Sequence, residues 1–318
     1  MKPVVAFASA HQDSQVCKEA KDMLREAGFE LVLNETGKKF NASELKDFIK
    51  DAFGVVAGTE KYDTYVLNEC TNLKTVIRFG VGIDNFDMDT MKRMGIQVGV
   101  ISNSNSVAEF ALLLILAVMK NLVRYDKITR LGRWDRFNMA ELKGKTVGLV
   151  GFGRIGKRLA ELLQSFDCNV IAYARHVDEE TAKKYPVKIA SFDELLRVSD
   201  IVSLHIPANL ETKHIINRDT IAKMKDGAIL INTARGALVD ETALYEALIN
   251  GKLAGAGLDV FEAEPVTSDN PLFLLENVTL APHCAALSYE TNYNGGLISA
   301  RSIINVYNGG SPEYPVKL

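Results

Sequence analysis

Three side chains in the second half of the chain, Arg235, Glu264 and His283, have the chemistry of an acid–base site. A histidine exchanges a proton near neutral pH, as the reduction of a carbonyl group requires alongside a hydride. A guanidinium can bind a carboxylate through two hydrogen bonds and polarise a carbonyl oxygen. A carboxylate that accepts the other imidazole N–H keeps the ring charged until its proton is transferred. Together these side chains predict a carboxylate anchor, a proton donor and an acid that orients the donor.

Each of these residues also has a structural explanation. A single arginine commonly forms a structural salt bridge, and a single histidine is often structural. For Glu264 the structural explanation is an exposed acidic loop, and the nearby Glu262 is the alternative partner for the histidine. The functional interpretation is favoured because all three follow predicted strands, where a parallel sheet binds its ligand.

The elements that position these side chains form a predicted doubly wound parallel sheet. Apolar strands alternate with helical segments, and the predicted strands after the first are 169–173, 187–190, 200–205, 228–232, 254–260 and 278–281. A capping box at Ser191 and Glu194 begins one helix. Because ligands of such sheets bind at the carboxyl ends of the strands, the residues at these ends are the first candidates for contacts. They include His205, Pro207, Asp259 and His283.

A glycine-rich stretch, Val147–Gly156, lies at the start of this sheet and predicts a strand, a tight turn and a helix over 157–166. Gly151 would permit the turn, Gly153 would let the backbone approach a pyrophosphate, and Gly156 would let the helix pack on the strand. The N–H groups of the first helical turn would face the anion. With a second strand at βαβ distance, the stretch predicts a dinucleotide-binding half.

The second strand of this half ends at Ala174, Arg175 and His176. An acidic residue about 20 positions past the glycines would hold the adenosine ribose. Alanine stands there, and the two basic residues that follow suit a 2′-phosphate. The sequence therefore slightly favours NADP(H) over NAD(H). The alternative is that the two basic residues lie in a solvent-exposed loop and that the protein uses NAD(H).

The first hundred residues predict a smaller α/β unit, because short apolar strands alternate with helical segments. The strands are predicted at 4–8, 29–33, 54–57, 75–78 and 97–100, with a helix over 15–27. Directly after the fourth strand comes Arg78–Asn85, whose glycines could bring backbone N–H groups to a carboxylate or phosphate. An ordinary glycine turn explains the same residues.

Ser106 and Glu109 predict a capping box that begins a long helix running to about Leu131. Over residues 110–119 this helix is apolar on nearly every side, so we expect it to be buried at a subunit or domain interface. We therefore predict a homo-oligomer, most simply a homodimer. A last helix over 288–308 is expected to return to the first unit. The domains are therefore predicted as 1–101 with 285–318, and 102–284.

Composition excludes several classes of protein. The chain has 318 residues, 47% of them hydrophobic and 24% charged, and a net charge of −3. This balance indicates no nucleic-acid or membrane-surface partner, so the expected partners are small molecules. Its four cysteines lack metal-site spacing, so no metal is expected, and the apolar run 4–8 is too short for a signal peptide. A cytoplasmic location is expected.

These ordered blocks resemble the D-2-hydroxyacid dehydrogenase family, especially its 3-phosphoglycerate dehydrogenase-like branch. The resemblance covers nearly the whole chain and rests on six blocks: 78–85, Asn103 with 107–109, 147–156, 233–240, 258–265 and 282–283. It implies a Rossmann-like cofactor domain and a smaller flavodoxin-like substrate domain, usually in dimers. It also implies reversible hydride transfer between a nicotinamide and C2 of a small 2-oxo or D-2-hydroxy acid.

The resemblance also implies site residues. It makes Arg235, Glu264 and His283 catalytic, and it implies that Val81 and Gly82 offer backbone N–H groups to the substrate carboxylate, which Arg78 and Arg235 also bind. Asp259 would hold the nicotinamide amide. The further cofactor residues expected are Gly151, Gly153, Arg154, Ile155, Gly156, Ala174, Arg175, His176, His205, Pro207, Thr212, Thr233, Ala234 and Ala285.

Three other functions stay open. A hydroxypyruvate or glyoxylate reductase is the nearest, and the basic residues Arg175 and His176 favour it slightly. A formate-oxidising relative is disfavoured, because that reaction needs no proton donor of the His283 kind. A nucleotide-sensing corepressor of the same fold would keep similar residues, bind peptide partners and turn over 2-oxo acids slowly.

Overall fold

The structure is a computed structural model that describes residues 2–9, 17–101, 104–175 and 184–317. The chain divides into two compact units, one of Met1–Asn103 with Ala286–Leu318 and the other of Ser104–Ala285. These bounds lie one or two residues from the domain limits expected from the sequence. Asn103 and His176, both named among the expected motifs, lie outside the described residues.

The first unit is built on a five-stranded parallel sheet. Its strands are β1 (Val4–Phe7), β2 (Glu30–Leu33), β3 (Ala52–Ala57), β4 (Thr75–Arg78) and β5 (Gln97–Val100). They are arranged in the order β2-β1-β3-β4-β5, which is the flavodoxin-like order. The helices are α1 (Lys18–Glu26), α2 (Ala42–Ile49), α3 (Thr64–Leu67), α4 (Met88–Arg93) and, from the end of the chain, α11 (Tyr289–Tyr307).

The second unit is built on a seven-stranded parallel sheet. Its strands are β6 (Thr146–Val150), β7 (Asn169–Tyr173), β8 (Lys188–Ile189), β9 (Ile201–Leu204), β10 (Ala228–Asn232), β11 (Leu253–Leu258) and β12 (Val278–Leu280). The strands lie in the order β12-β11-β10-β9-β6-β7-β8. Their numbers increase outward on both sides of the neighbouring pair β6 and β9, as in a Rossmann sheet. The predicted α/β fold with two doubly wound parallel sheets is thus confirmed.

Helices cover both faces of the second sheet, which explains why its strands read as continuous apolar runs. The described helices are α5 (Asn105–Met119), α6 (Leu122–Arg130), α7 (Arg154–Leu163), α8 (Phe192–Val198), α9 (Arg218–Lys223) and α10 (Glu241–Ile249). One apolar core lies under α5 and α7, and another lies under α8, α9 and α10. All five residues of β10, which ends next to Arg235, are buried.

The single long helix predicted from Ser106 to about Leu131 is wrong. Asn121 has a left-handed φ of 51°, and the two helices on either side of it are bent by 61°. The predicted capping box is also wrong, because the helix begins at Asn105 with Ser104 as its N-cap, and the Ser106 hydroxyl donates a hydrogen bond to the Ala285 carbonyl (2.7 Å). Of the capping box predicted at Ser191 and Glu194, the Ser191 half is confirmed, since the Ser191 hydroxyl accepts the Glu194 N–H.

No single helix in the described part of the chain is long and apolar enough to cross a membrane. The bent pair α5 and α6 meets the length and composition test only when the two are taken together.

Candidate active site

The glycine turn after β6 has the geometry that a dinucleotide requires. Gly151 has φ of 110°, and a Cβ there would lie 2.5 Å from the His205 carbonyl oxygen. A Cβ on Gly156 would clash with the Gly151 carbonyl oxygen, so only glycine lets α7 start this close to the strand. Gly153 differs, because a Cβ there would meet no atom within 4 Å. The first and third glycines therefore serve the fold, whereas the second borders open space.

Helix α7 presents its N-terminus at this turn. Gly153 is its N-cap and offers no side-chain hydrogen bond to the first turn, an arrangement typical of helix N-termini that bind an anion. Arg154 is exposed at the first helical position, and Ile155 packs on the apolar core below. The residues chosen from the sequence as a phosphate cradle therefore lie together, and their contact with a cofactor stays a prediction.

A second observation fits a bound dinucleotide. The Thr233 hydroxyl, just past the end of β10, is buried and has no hydrogen-bond partner among the described residues. An unpaired buried hydroxyl is costly, so a ligand that hydrogen-bonds it would remove a penalty of about 1–3 kcal/mol. Thr233 lies at the carboxyl edge of the sheet, where this fold binds nucleotides.

Arg235 is presented by a braced turn. The Asn232 side chain accepts the Ala234 N–H (3.0 Å) and donates to the Arg235 carbonyl (2.8 Å), which fixes the backbone of the turn. One guanidinium nitrogen of Arg235 donates to the Ala234 carbonyl (2.7 Å). A Cβ on Gly236 would clash with the Phe261 carbonyl group, so glycine brings this turn against the loop that carries Glu264.

His283 and Glu264 form a hydrogen-bonded pair. His283 Nδ1 lies 2.6 Å from Glu264 Oε2, and Glu264 Oε1 accepts the Phe261 N–H (3.0 Å). The alternative partner, Glu262, instead pairs with His214. Because Nδ1 is engaged by Glu264, Nε2 is the imidazole nitrogen left to exchange a proton with a ligand. The structure thus chooses between the two acids that the sequence had left open.

The electrostatics of this pair favour a carboxylate. Burial acts to raise the pKa of Glu264, and the hydrogen bonds from His283 and from the Phe261 N–H act to lower it. Positive charge on His283 and Arg235 adds to their effect, so the pKa of Glu264 lies below its ordinary value. The acid is therefore ionised at neutral pH and stabilises a protonated imidazole.

Asp259 holds the backbone that follows the histidine. It is 1% exposed, and its two carboxylate oxygens accept the N–H groups of Cys284 (2.8 Å) and Ala285 (2.9 Å). Burial raises the pKa of Asp259, and these two hydrogen bonds offset part of the effect. The Asp259 carbonyl accepts the His283 N–H (2.7 Å), and His283 itself has φ of 53°. The predicted contact of Asp259 with a nicotinamide amide remains a prediction.

The loop after β9 contains three of the predicted cofactor residues. The His205 ring hydrogen-bonds the Ser203 hydroxyl (2.9 Å), and burial lowers the pKa of His205 to about 4, so the ring is neutral at pH 7. The buried Thr212 hydroxyl donates to the Pro207 carbonyl (2.8 Å), which closes the loop on itself. These contacts give His205 and Thr212 a structural role beside any role in cofactor binding.

Beyond the end of β7, Arg175 forms an ion pair that the sequence did not predict. Ala174 carries no charge, and Arg175 lies 2.9 Å from Glu211 of the loop after β9. Glu211 is distant in sequence, and only the neighbouring order of β7, β6 and β9 brings the two together. The basic end expected at 174–176 is thus partly neutralised.

In the first unit, the loop after β4 is held by Arg78. Its Nε donates to the Gly82 carbonyl (3.1 Å), and a terminal nitrogen donates to the Phe79 carbonyl (2.9 Å). Val81 is 45% exposed at the tip of this loop. The structure therefore shows Arg78 shaping the loop, whereas its contact with a substrate, like those of Val81 and Gly82, stays a prediction.

Across the residues with described positions, no group of three or more histidine, cysteine, aspartate or glutamate side chains is arranged to hold a metal ion.

Comparison with known proteins identifies the second unit. Residues 112–285, more than half of the chain, match the model of the D-isomer specific 2-hydroxyacid dehydrogenase, NAD binding domain. The chain belongs to the D-isomer specific 2-hydroxyacid dehydrogenase family. This agrees with the family that the sequence motifs resemble, and with NAD(P) as the class of cofactor.

Named relatives of this family cover most of the chain. A glyoxylate reductase of Thermofilum pendens is 44% identical over 80% of the chain and 78% of its own length. A D-3-phosphoglycerate dehydrogenase of Archaeoglobus fulgidus is 39% identical over 92% of the chain, which spans 56% of that relative. A crystal structure of a Thermus thermophilus protein has a TM-score of 0.89 at 33% identity, covering 99% of the chain and 100% of that protein.

Proposed function

We propose that this protein is an NAD(P)-dependent oxidoreductase that interconverts a small 2-oxo acid and the D-2-hydroxy acid. The observation that carries the proposal is the His283–Glu264 pair beside Arg235, at the carboxyl edge of a sheet with a dinucleotide turn. Family membership supports the same chemistry. Rapid turnover of a 2-oxo acid would distinguish this enzyme from a corepressor of the same fold, which would keep similar residues.

Each residue of the site has a separate role in the proposed hydride and proton transfer. When bound, the nicotinamide cofactor supplies or accepts the hydride. His283 gives its Nε2 proton to the substrate oxygen during reduction and takes one during oxidation. Glu264 remains a carboxylate throughout and stabilises the imidazolium. Arg235 binds the substrate carboxylate and polarises the 2-oxo group.

The protein's own groups that would hold the cofactor lie along one sheet edge. The N–H groups at the start of α7 would receive the pyrophosphate, with Gly153 leaving room for it. The Thr233 hydroxyl and Asp259 would meet the nicotinamide side.

In the first unit, the Val81 and Gly82 N–H groups would bind the substrate carboxylate, with Arg78 shaping their loop. The first unit is thus proposed as the substrate domain and the second as the cofactor domain.

We propose NADP(H) as the slightly preferred cofactor, with NAD(H) also used. Support comes from Ala174, which leaves no acid on the ribose-binding strand, and from the exposed guanidinium of Arg175 beside it. Steady-state kinetics with each cofactor test this point. A large preference in kcat/KM for NADH would contradict it.

Two candidates remain for the substrate. The sequence motifs favour a 3-phosphoglycerate dehydrogenase-like activity, and a relative at 39% identity carries that name. A glyoxylate or hydroxypyruvate reductase is the second candidate, because the relative at 44% identity is named a glyoxylate reductase. Reduction of 3-phosphohydroxypyruvate, hydroxypyruvate, glyoxylate and pyruvate should be compared in one panel. Slow turnover of all four would contradict the proposed enzyme and favour a corepressor-like role.

We also propose a homodimer in the cytoplasm. Apolar side chains are exposed at the start of α6 and in the loop that follows it, with Leu122 56%, Val123 50% and Trp134 79% exposed. A second copy of the chain could cover this surface. No disulfide joins the four cysteines, all of which lie in the described part of the chain, as expected in a reducing compartment. Sedimentation analysis of wild type against Leu122→Asp tests the dimer, which the substitution should dissociate.

A further inference from the structure

The ion pair between Arg175 and Glu211 joins two loops of the second unit. The guanidinium lies 2.9 Å from the carboxylate, and the side chains are 54% and 73% exposed. Arg175 lies two residues beyond the end of β7, where proteins of this fold select between a ribose hydroxyl and a ribose phosphate. The pair is therefore at the position that decides which dinucleotide is bound.

Glu211 is held in place by its own loop. The Asn209 side chain accepts the N–H groups of Glu211 (2.9 Å) and Thr212 (3.0 Å), which forms a tight turn. The Thr212 hydroxyl accepts the Asn209 N–H (2.8 Å) and donates to the Pro207 carbonyl (2.8 Å). Because the backbone on both sides is fixed, the carboxylate reaches Arg175 from a defined position.

We propose that Glu211 is a cofactor-selecting residue that competes with a 2′-phosphate for the Arg175 guanidinium. This inference rests on the proposed function. The fold usually supplies the ribose-binding acid from the end of the second strand, where this chain has Ala174. Here the loop after β9 supplies an acid to the same place. With a 2′-hydroxyl dinucleotide, Glu211 keeps Arg175 neutralised and provides a carboxylate acceptor for the ribose.

A 2′-phosphate changes the balance at this position. It carries more negative charge than a carboxylate and binds the guanidinium strongly, so it displaces Glu211 from Arg175. The displaced carboxylate then opposes the phosphate by like-charge repulsion. Since exposed ion pairs are weak, the displacement lowers affinity without preventing binding. The expected outcome is a protein that accepts both dinucleotides, with only a modest preference for the phosphorylated one.

The test is to measure dissociation constants of NADPH and NADH by fluorescence, without a 2-oxo acid, in wild type and Glu211→Gln. The variant should bind NADPH about fivefold more tightly and NADH slightly less tightly, an effect the size of an exposed ion pair. Glu246→Gln is the matched control, because it removes an equal charge from an exposed pair with Arg218 in the same unit. The control should leave the ratio of the two constants unchanged.

A double-mutant cycle distinguishes competition for Arg175 from a general effect of charge. In the Arg175→Ala background, Glu211→Gln should change NADPH affinity less than twofold. An unchanged NADPH/NADH ratio in Glu211→Gln, or the same change in Glu246→Gln, would overturn this inference alone. Failure of wild type to bind either dinucleotide would overturn the proposed function as well.

Discussion

Replacement of Glu264 by glutamine should lower kcat for 2-oxo acid reduction about tenfold. Glutamine can still accept the Phe261 N–H through its amide oxygen, so the loop is expected to keep its shape. What is lost is the charged acceptor that lies 2.6 Å from His283 Nδ1, because the amide nitrogen that takes its place can only donate a hydrogen bond. A hydrogen bond to a charged group contributes about 1.5–3 kcal/mol. The His283 and Glu264 side chains are 44% and 35% exposed, so the lower value, about tenfold in rate, is expected.

The pH profile separates this effect from simple damage to the fold. Because the pKa of Glu264 is lowered, its contribution is present above the ordinary carboxyl range and is lost only as the pH falls through its folded value. Wild type therefore keeps this carboxylate ionised throughout the neutral range. Glu264→Gln has no carboxyl group to titrate at this position, so its reductase activity should stay reduced across the neutral range and should lack the acidic loss that protonation of Glu264 causes in wild type.

The matched control for this prediction is Glu262→Gln. Glu262 lies two residues away and pairs with His214 rather than His283. Its replacement should change kcat less than twofold, and both variants should bind NADPH like wild type. Equal activity of wild type and Glu264→Gln, or equal losses in the two variants, would refute the role given to the His283–Glu264 pair.

Three further predictions concern the glycine turn, His205 and Arg235. Gly153→Ala should fold normally, because its Cβ meets no atom within 4 Å, but it should weaken NADPH binding severalfold. Gly151→Ala should lower the melting temperature, because its Cβ would meet the His205 carbonyl. For His205 the folded pKa is about 4 against an ordinary 6.5, so stability is full above pH 6.5 and falls as the pH drops towards 4. Between pH 6.5 and pH 4, the free energy of unfolding measured in urea should fall by up to about 3 kcal/mol more in wild type than in His205→Gln. Arg235→Lys should raise KM for the 2-oxo acid at least tenfold, because an ammonium cannot bind a carboxylate through two parallel hydrogen bonds, while NADPH binding stays unchanged.

Local patterns in the sequence were sufficient to predict the sheets. Buried parallel strands such as β7 and β10 are continuous apolar runs bounded by turn residues, and both have the predicted bounds. The glycine turn could also be predicted from the sequence, because close backbone contacts at Gly151 and Gly156 leave no room for a Cβ and require glycine. The break at Asn121 was missed, since a left-handed asparagine inside an apolar pattern leaves no periodic signal.

The site was predicted only as far as strand ends allow. His283 and Arg235 follow strands, so their placement at one sheet edge could be inferred from the parallel topology. The choice between Glu262 and Glu264 could not, because both lie in one loop and only its folded path decides which carboxylate meets His283. Glu211 was missed for a similar reason, because its approach to Arg175 depends on the order of β7, β6 and β9.

In the proposed reaction, His283 transfers a proton during the nicotinamide-dependent reduction of a 2-oxo acid. The most direct test is kcat of His283→Asn with the best substrate of the panel, measured beside its NADPH dissociation constant. Asparagine is chosen because it tolerates the left-handed φ of 53° at this position. We predict a loss in kcat of at least about 100-fold with NADPH binding within twofold of wild type. Turnover equal to wild type in this variant would contradict the account.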